Sequence, residues 1–425
     1  MKAYDTMSRE ELASEKEALA AAYTAHKAKG LSLNMARGKP GSDQIDISAP
    51  MLDVINSSSN CNAEGGVDCR NYGELTGIAD AKKLFGEYMG VAADEIIIAG
   101  STSLTFMYDC LARAMLTGVL GSEKPWGKEE KVKFLCPVPG YDRHFSICQF
   151  LGIEMINVPL SQEGPDMDMV EKLVSGDPLI KGMWCVPKYS NPTGTTYSDT
   201  VMRRLAALKP AAKDFRIFCD NAYAIHEVYR DVPLLNPLAA CKEAGNPDMI
   251  YVFGSTNKIT FPGAGVAFFA ASKENIAFTT KQLSMQAIGW DKLNMLRHVR
   301  FFKDMNGIRA IMQKHASILR PKFDAVLKKM DQELAGLGAG EWIKPDGGYF
   351  VTFFAKHGCA KRIITLCKEA GVTMTDAGAP YPYGKDPDDS CIRIAPTFPS
   401  LADLNLAMEV FCSAVKLATV ERALS

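Results

Sequence analysis

The sequence predicts an α/β protein: a large domain whose mostly parallel sheet is covered by helices on both faces, joined to a smaller α+β domain. Three observations point there. From about residue 75 to residue 270, apolar runs of strand length alternate with helical segments, the pattern of a parallel sheet buried on both sides. Residues 274 to about 334 carry no strand signal and read as consecutive helices. The remainder mixes strands with helices, which suits a separate unit. The expected division is an N-terminal helix and arm over 1–48, a large domain over 49–315 and a small C-terminal domain over 316–425.

Taken in order, Ser8-Arg9-Glu10-Glu11 has the capping-box pattern, and the Ala-rich run to Lys29 with Gly30 behind it reads as one helix. Residues 31–40 read as a short strand ending in a Gly/Pro turn that carries Arg37, Gly38 and Lys39. Seven strands are expected in the large sheet: Glu95–Ala99, Val132–Cys136, Glu154–Val158, Ile180–Val186, Arg216–Cys219, Met249–Phe253 and Gly265–Ala270. The helices that follow should break near Gly289 and Pro321, where glycine and proline interrupt the pattern. Strands at Gly348–Phe354, Val372–Thr375 and Cys391–Ala395, with helices at Lys361–Ala370 and Leu401–Ala418, complete the chain.

Composition narrows the function. The 425 residues are enough for two or three cores, with 23% charged residues and a net charge of −1. That balance offers no basic surface for nucleic acid. The 12 cysteines form no Cys-x-x-Cys pair, so zinc and redox motifs are not supported. The first 30 residues lack the apolar core of a signal peptide and no run approaches a membrane span, so a cytoplasmic protein is expected.

Chemistry-bearing residues cluster just after the predicted strands. In open α/β folds that rim is where ligands bind. Gly100-Ser101-Thr102-Ser103 joins a strand to a helix, so backbone N–H groups and hydroxyls could cradle a phosphate there; Ser101 as a plain helix cap explains the same residues. Pro139-Gly140-Tyr141 puts an aromatic on the rim, with His144 one turn on. Asn191-Pro192-Thr193-Gly194 is a turn carrying an amide. Asp220 ends a buried strand with Tyr223 three residues later, and a buried Asp needs a cationic partner. Gly254-Ser255-Thr256-Asn257-Lys258 delivers one lysine to the rim, where an amine can form a Schiff base with a carbonyl cofactor.

Asn191-Pro192-Thr193-Gly194, Asp220-x-x-Tyr223 and Ser255-Thr256-Asn257-Lys258 follow one another in that order, with Arg393 far downstream. Each is weak alone. As an ordered set they resemble the fold-type I aminotransferases that use pyridoxal 5′-phosphate, over nearly the whole chain. The Ala36–Pro40 turn, Tyr72-Gly73-Glu74-Leu75-Thr76-Gly77 and the stretch after Lys258 further resemble the MocR-type group, which contains the subgroup Ic aspartate aminotransferases. The resemblance implies Lys258 as Schiff-base lysine and proton carrier, and Asp220 as partner of the pyridine nitrogen with His144 behind it. Asn191 and Tyr223 would meet the ring oxygen and Tyr141 the ring face. Ser101, Thr102, Ser103 and Ser255 would meet the phosphate, with Tyr72 reaching over from the second subunit of a homodimer. Arg393 would grip the substrate α-carboxylate, beside Asn191 and Gly38, and Arg37 would read a distal carboxylate.

The implied activity is transfer of an amino group from an L-amino acid, aspartate foremost, to a 2-oxo acid, 2-oxoglutarate foremost, by a ping-pong route. A C–S lyase or decarboxylase on the same scaffold and a non-catalytic cofactor-binding regulator are the alternatives. One departure stands out. Many relatives carry a phosphate-clamping arginine eight residues after the lysine, and here that position is Val266.

Overall fold

The computed structural model describes residues 2–425. Strand β1 (Leu33–Asn34) lies in the N-terminal arm. The large sheet contains β2 (Ile96–Ile98), β3 (Lys133–Val138), β4 (Glu154–Ser161), β5 (Gly164–Pro165), β6 (Ile180–Cys185), β7 (Arg216–Asp220), β8 (Ile250–Ser255) and β9 (Ala267–Ala270). Across the sheet their order is β2-β9-β8-β7-β6-β3-β4-β5, and all but β5 and β9 run in one direction. All seven expected strands are present. The eighth, β5, is a two-residue return paired to the end of β4, too short to leave a periodic signal.

Both faces of this sheet are buried, and alternate residues serve opposite faces. Ile217, Cys219 and Val252 join one apolar cluster, while Phe218, Tyr251 and Phe253 join the other. Two glycines are required by close approach. A Cβ on Gly182 would fall 2.2 Å from the Phe134 ring, and one on Gly254 would fall 2.4 Å from Phe268. The parallel direction has one consequence for chemistry: the turns after β2, β3, β6, β7 and β8 all open on the same rim.

A third cluster organises the rest of the chain. Strands β10 (Gly340–Ile343), β11 (Val351–Ala355) and β13 (Cys391–Ile394) form an antiparallel sheet, and β12 (Val372–Thr373) pairs in parallel with β1. Helices Ala360–Glu369 and Leu401–Leu424 pack there, as does the N-terminal helix Arg9–Ala28, whose predicted capping box on Ser8 and Glu11 is formed. The Tyr23 hydroxyl donates to Leu366 O at 2.9 Å. Strand β10 was not expected, and β11 begins later than predicted. Gly347 and Gly348 make a tight turn against Tyr189, with Gly348 at φ 84°, so pairing starts only at Val351.

The expected helix break at Pro321 is absent: helix Met305–Leu334 runs straight through it. Its early turns bury Ile308, Ile311 and Met312 in the first cluster and its later turns bury Leu319, Phe323 and Val326 in the third. Burial on both sides of the proline outweighs the lost hydrogen bond, a cost of roughly 3 kcal/mol. Arg320 adds an anchor, its Nε and Nη2 donating to Val228 O at 3.0 and 2.8 Å. The actual breaks lie between Leu283 and Lys292, around Gly289, and at Lys303, whose φ is 68°.

Candidate active site

A cleft of about 560 Å³ opens on the rim between the large sheet and the β11–β13 face. Its lining includes Lys258, Asp220, Tyr223, Asn191, Tyr141, Arg393, Arg37 and Gly38. These residues lie far apart in sequence, and the turns after successive parallel strands bring most of them together.

Lys258 sits in a short turn whose geometry is held from behind. Thr256 O accepts from Ile259 N and Thr260 N in that turn, its N–H donates to Val266 O, and its hydroxyl accepts from Val266 N at 2.9 Å. His298 lies 3.1 and 3.0 Å from the hydroxyls of Thr256 and Thr260. Tyr349 OH donates to Lys258 O at 3.3 Å. The Lys258 ammonium lies 4.5 Å from the centroid of the Tyr223 ring, a cation–π distance.

Asp220 ends β7 and is 3% exposed. Its Oδ2 is 3.2 Å from His144 Nε2, as the sequence suggested. His144 in turn lies flat on Trp184, with centroids 4.1 Å apart and planes 5° from parallel, so its orientation is fixed. Asp220 Oδ1 is buried with no partner at all. A buried carboxylate oxygen left unpaired is costly, and such an orphan marks a place for a ligand donor. A protonated pyridine nitrogen is such a donor, so the residues present fit pyridoxal phosphate.

Around this pair, Tyr223 is 2% exposed and burial pushes its phenol well above the ordinary value. Burial likewise pushes Tyr141 up to about 12. His226, behind Tyr223, is pushed down by burial and then by Lys258, so it stays neutral.

Arg393, on β13, is tied down on one side. Its Nη1 donates to Asn191 Oδ1 at 3.2 Å and to Asp142 Oδ1 at 3.3 Å, and its Nη2 to Thr375 Oγ1 at 3.1 Å. The guanidinium carbon stands 4.8 Å from the Phe350 ring centroid. With Asn191 accepting through its oxygen, its NH₂ group is the end left to donate into the cleft. Gly38 is needed because a Cβ there would fall 2.2 Å from that same Phe350 ring. The arm that carries Arg37 is held by β1–β12 pairing and by Thr375 Oγ1 donating to Ala36 O at 2.7 Å.

Other predicted residues lie outside the cleft lining. The helix after β2 starts at Ser103, and its cap is Thr102, which accepts from Thr105 N at 3.1 Å; Ser101 is not the cap. This turn still abuts the Lys258 turn: a Cβ on Gly265 would fall 2.6 Å from Asn257 Nδ2 and 2.9 Å from Ser101 O. Ser255, the last residue of β8, is half-buried beside it. Val266 is 1% exposed and faces the core. Arg297, on helix Lys292–Phe302, is linked to this corner only through Asn294. Its Nη2 donates to Asn294 Oδ1 at 2.5 Å, and Asn294 Nδ2 donates to Ala264 O and Gly265 O at 3.1 and 2.9 Å. Tyr72 is 82% exposed, on a loop clamped by Lys292 Nζ to Asn71 O and Gly73 O and by Trp290 Nε1 to Leu75 O.

Sequence reasoning missed Asp142, Thr375, Phe350 and Arg297. Asp142 adjoined a motif residue and was legible as a rim carboxylate. Thr375 and Phe350 lie in the chain just outside β12 and β11, Arg297 lies in a helix, and none of the three left a signal.

Comparison with known proteins gives the family. A family model described as aspartate amino-transferase matches residues 7–425. An aspartate aminotransferase of Corynebacterium glutamicum is 44% identical, over 93% of this chain and 91% of its own. A solved aspartate transaminase structure from the same species superposes with a TM-score of 0.97 at 41% identity, covering 99% of both chains. The fold also matches an α-aminoadipate aminotransferase of Thermus thermophilus complexed with N-(5′-phosphopyridoxyl)-L-leucine, with a TM-score of 0.72 at 21% identity over 93% of this chain and 95% of that one. The ordered motifs, the rim they share and these relatives agree, and the chain belongs to the aspartate amino-transferase family, an aminotransferase of the fold-type I class.

Proposed function

We propose that this aminotransferase is a cytoplasmic homodimer that holds pyridoxal 5′-phosphate on Lys258 and moves the amino group of aspartate to 2-oxoglutarate by a ping-pong route. The observation that carries the reading is the partnerless Oδ1 of buried Asp220, on the same cleft as Lys258 and Arg393. When bound, the cofactor supplies an electron sink for the bond broken at the substrate Cα.

The chain's own residues do the rest. Asp220, braced by His144 on Trp184, holds a proton at the pyridine nitrogen. Asn191 and Tyr223 donate to the ring oxygen, and Tyr141 covers the ring. Arg393 takes the α-carboxylate as a two-pronged donor, which lysine could not match. Lys258 Nζ removes the proton at Cα. Ser101, Thr102, Ser103 and Ser255 meet the phosphate where the helix N-terminus favours an anion. Tyr72, exposed on its clamped loop, serves the site of the second copy. Arg37, on the cleft rim, reads the distal carboxylate.

Titration of the yellow holoenzyme with single amino acids tests this. Aspartate and glutamate should bleach the lysine-bound absorbance and release the matching oxo acid stoichiometrically. Bleaching by neither, or turnover beyond one product per site with no 2-oxo acid acceptor present, overturns the reading. R37A should lower kcat/KM for aspartate by about 100-fold while that for alanine changes by less than about threefold. Equal losses for both donors would remove Arg37 from the distal site.

A further inference from the structure

Arg393 already has a carboxylate. Its side chain is 8% exposed, and Asp142 Oδ1 stands 3.3 Å from Nη1. Among the described residues, Asp142 is the only carboxylate within ion-pair distance of this guanidinium. The other contacts are neutral: Asn191 Oδ1, Thr375 Oγ1 and the Phe350 ring, while Nε is buried without a partner. Those neutral groups fix the plane of the guanidinium, so Asp142 is not needed to orient it. Asp142 itself opens helix Asp142–Phe150, where an anion is favoured by the helix N-terminus, and its side chain is 32% exposed. It can therefore leave Arg393 for solvent at little cost to its own element.

We propose that Asp142 is a built-in stand-in for the substrate α-carboxylate, a specificity-determining residue that sets how tightly Arg393 takes its substrate; this rests on Arg393 being the α-carboxylate grip. Two carboxylates cannot share the same prongs without like-charge repulsion. Each incoming amino acid or oxo acid must displace Asp142 before it docks. The buried guanidinium is thereby neutralised between turnovers, and only a ligand with its own carboxylate can replace the internal one. An amine lacking that group leaves the Asp142–Arg393 pair intact.

The experiment uses holoenzyme and succinate, a dicarboxylate without an amino group, as a non-reacting probe. D142N keeps the shape and removes the charge; D142A removes both and guards against a misfolded first variant. Succinate should bind about tenfold more tightly to each, and KM for aspartate should fall by more than kcat changes. A purely structural role for Asp142 would weaken binding or leave it alone. Unchanged or weaker succinate binding in both variants overturns the proposal. R393A separates the two levels: if it binds succinate as well as the parent, the α-carboxylate reading of Arg393 fails. If R393A loses succinate while D142N and D142A gain nothing, only the role of Asp142 fails.

Discussion

K258A should lose transamination by roughly 10⁴-fold or more while the protein stays folded, because it removes both the covalent tether and the base at Cα. The fold should tolerate the change. Lys258 reaches into the cleft, and the turn that carries it is held by Thr256, His298 and Tyr349 through backbone and hydroxyl contacts that the substitution leaves in place. Thermal unfolding of the apoprotein should therefore shift by a few degrees at most, in line with about 1 kcal/mol for a change away from the core. Turnover of aspartate with 2-oxoglutarate, measured beside that melt, checks both halves. A K258A enzyme retaining a tenth of its activity would remove Lys258 from the chemistry.

D220N separates function from stability more sharply. Its amide has nearly the shape of the carboxyl, so packing against β7 neighbours is kept. The charge that holds the pyridine proton is lost, and turnover should fall by roughly 10²- to 10³-fold, an electrostatic effect of about 3–4 kcal/mol in a buried site. The apoprotein should respond in the opposite direction. Asp220 Oδ1 has no partner in the folded chain, so the amide leaves one buried atom equally unpaired while removing a buried charge, which is neutral to stabilising. The midpoint of urea unfolding should thus hold or rise in the absence of cofactor, and the extra protection that pyridoxal phosphate gives the parent should shrink. A D220N apoprotein destabilised by several kcal/mol would mean that Asp220 is a structural ion-pair partner of His144 instead.

Legibility in the sequence followed physical scale. Most large-sheet strands could be read because both faces are buried, which makes them nearly continuous apolar runs; β4, with Glu154 and Asn157 partly exposed, is the exception. The helix at Arg9–Ala28 could be read because its cap is local, Ser8 to Glu11. Pro321 was misleading because local chain chemistry argues for a break, while burial of Ile308 on one side and Phe323 on the other keeps the helix whole. Strand β10 was silent because its residues are only half-buried and show no alternation. Within the site, Asn191, Asp220 and Lys258 were readable as rim residues in order, and Arg393 only through the resemblance. The pairing of Asp142 with Arg393 was not readable, since the two residues lie 251 positions apart.

The sequence by itself determined the α/β class, the rim on which the chemistry lies and the residue types that supply it. It did so because strand direction and the turn after each strand are set within short stretches of chain. Only the tertiary structure decided that Asp220 keeps one oxygen unpaired, that His144 is held flat on Trp184, and that Arg393 is occupied by Asp142. Those are properties of packing between distant segments, where burial removes water as an alternative partner and a few tenths of an ångström settle which group is satisfied.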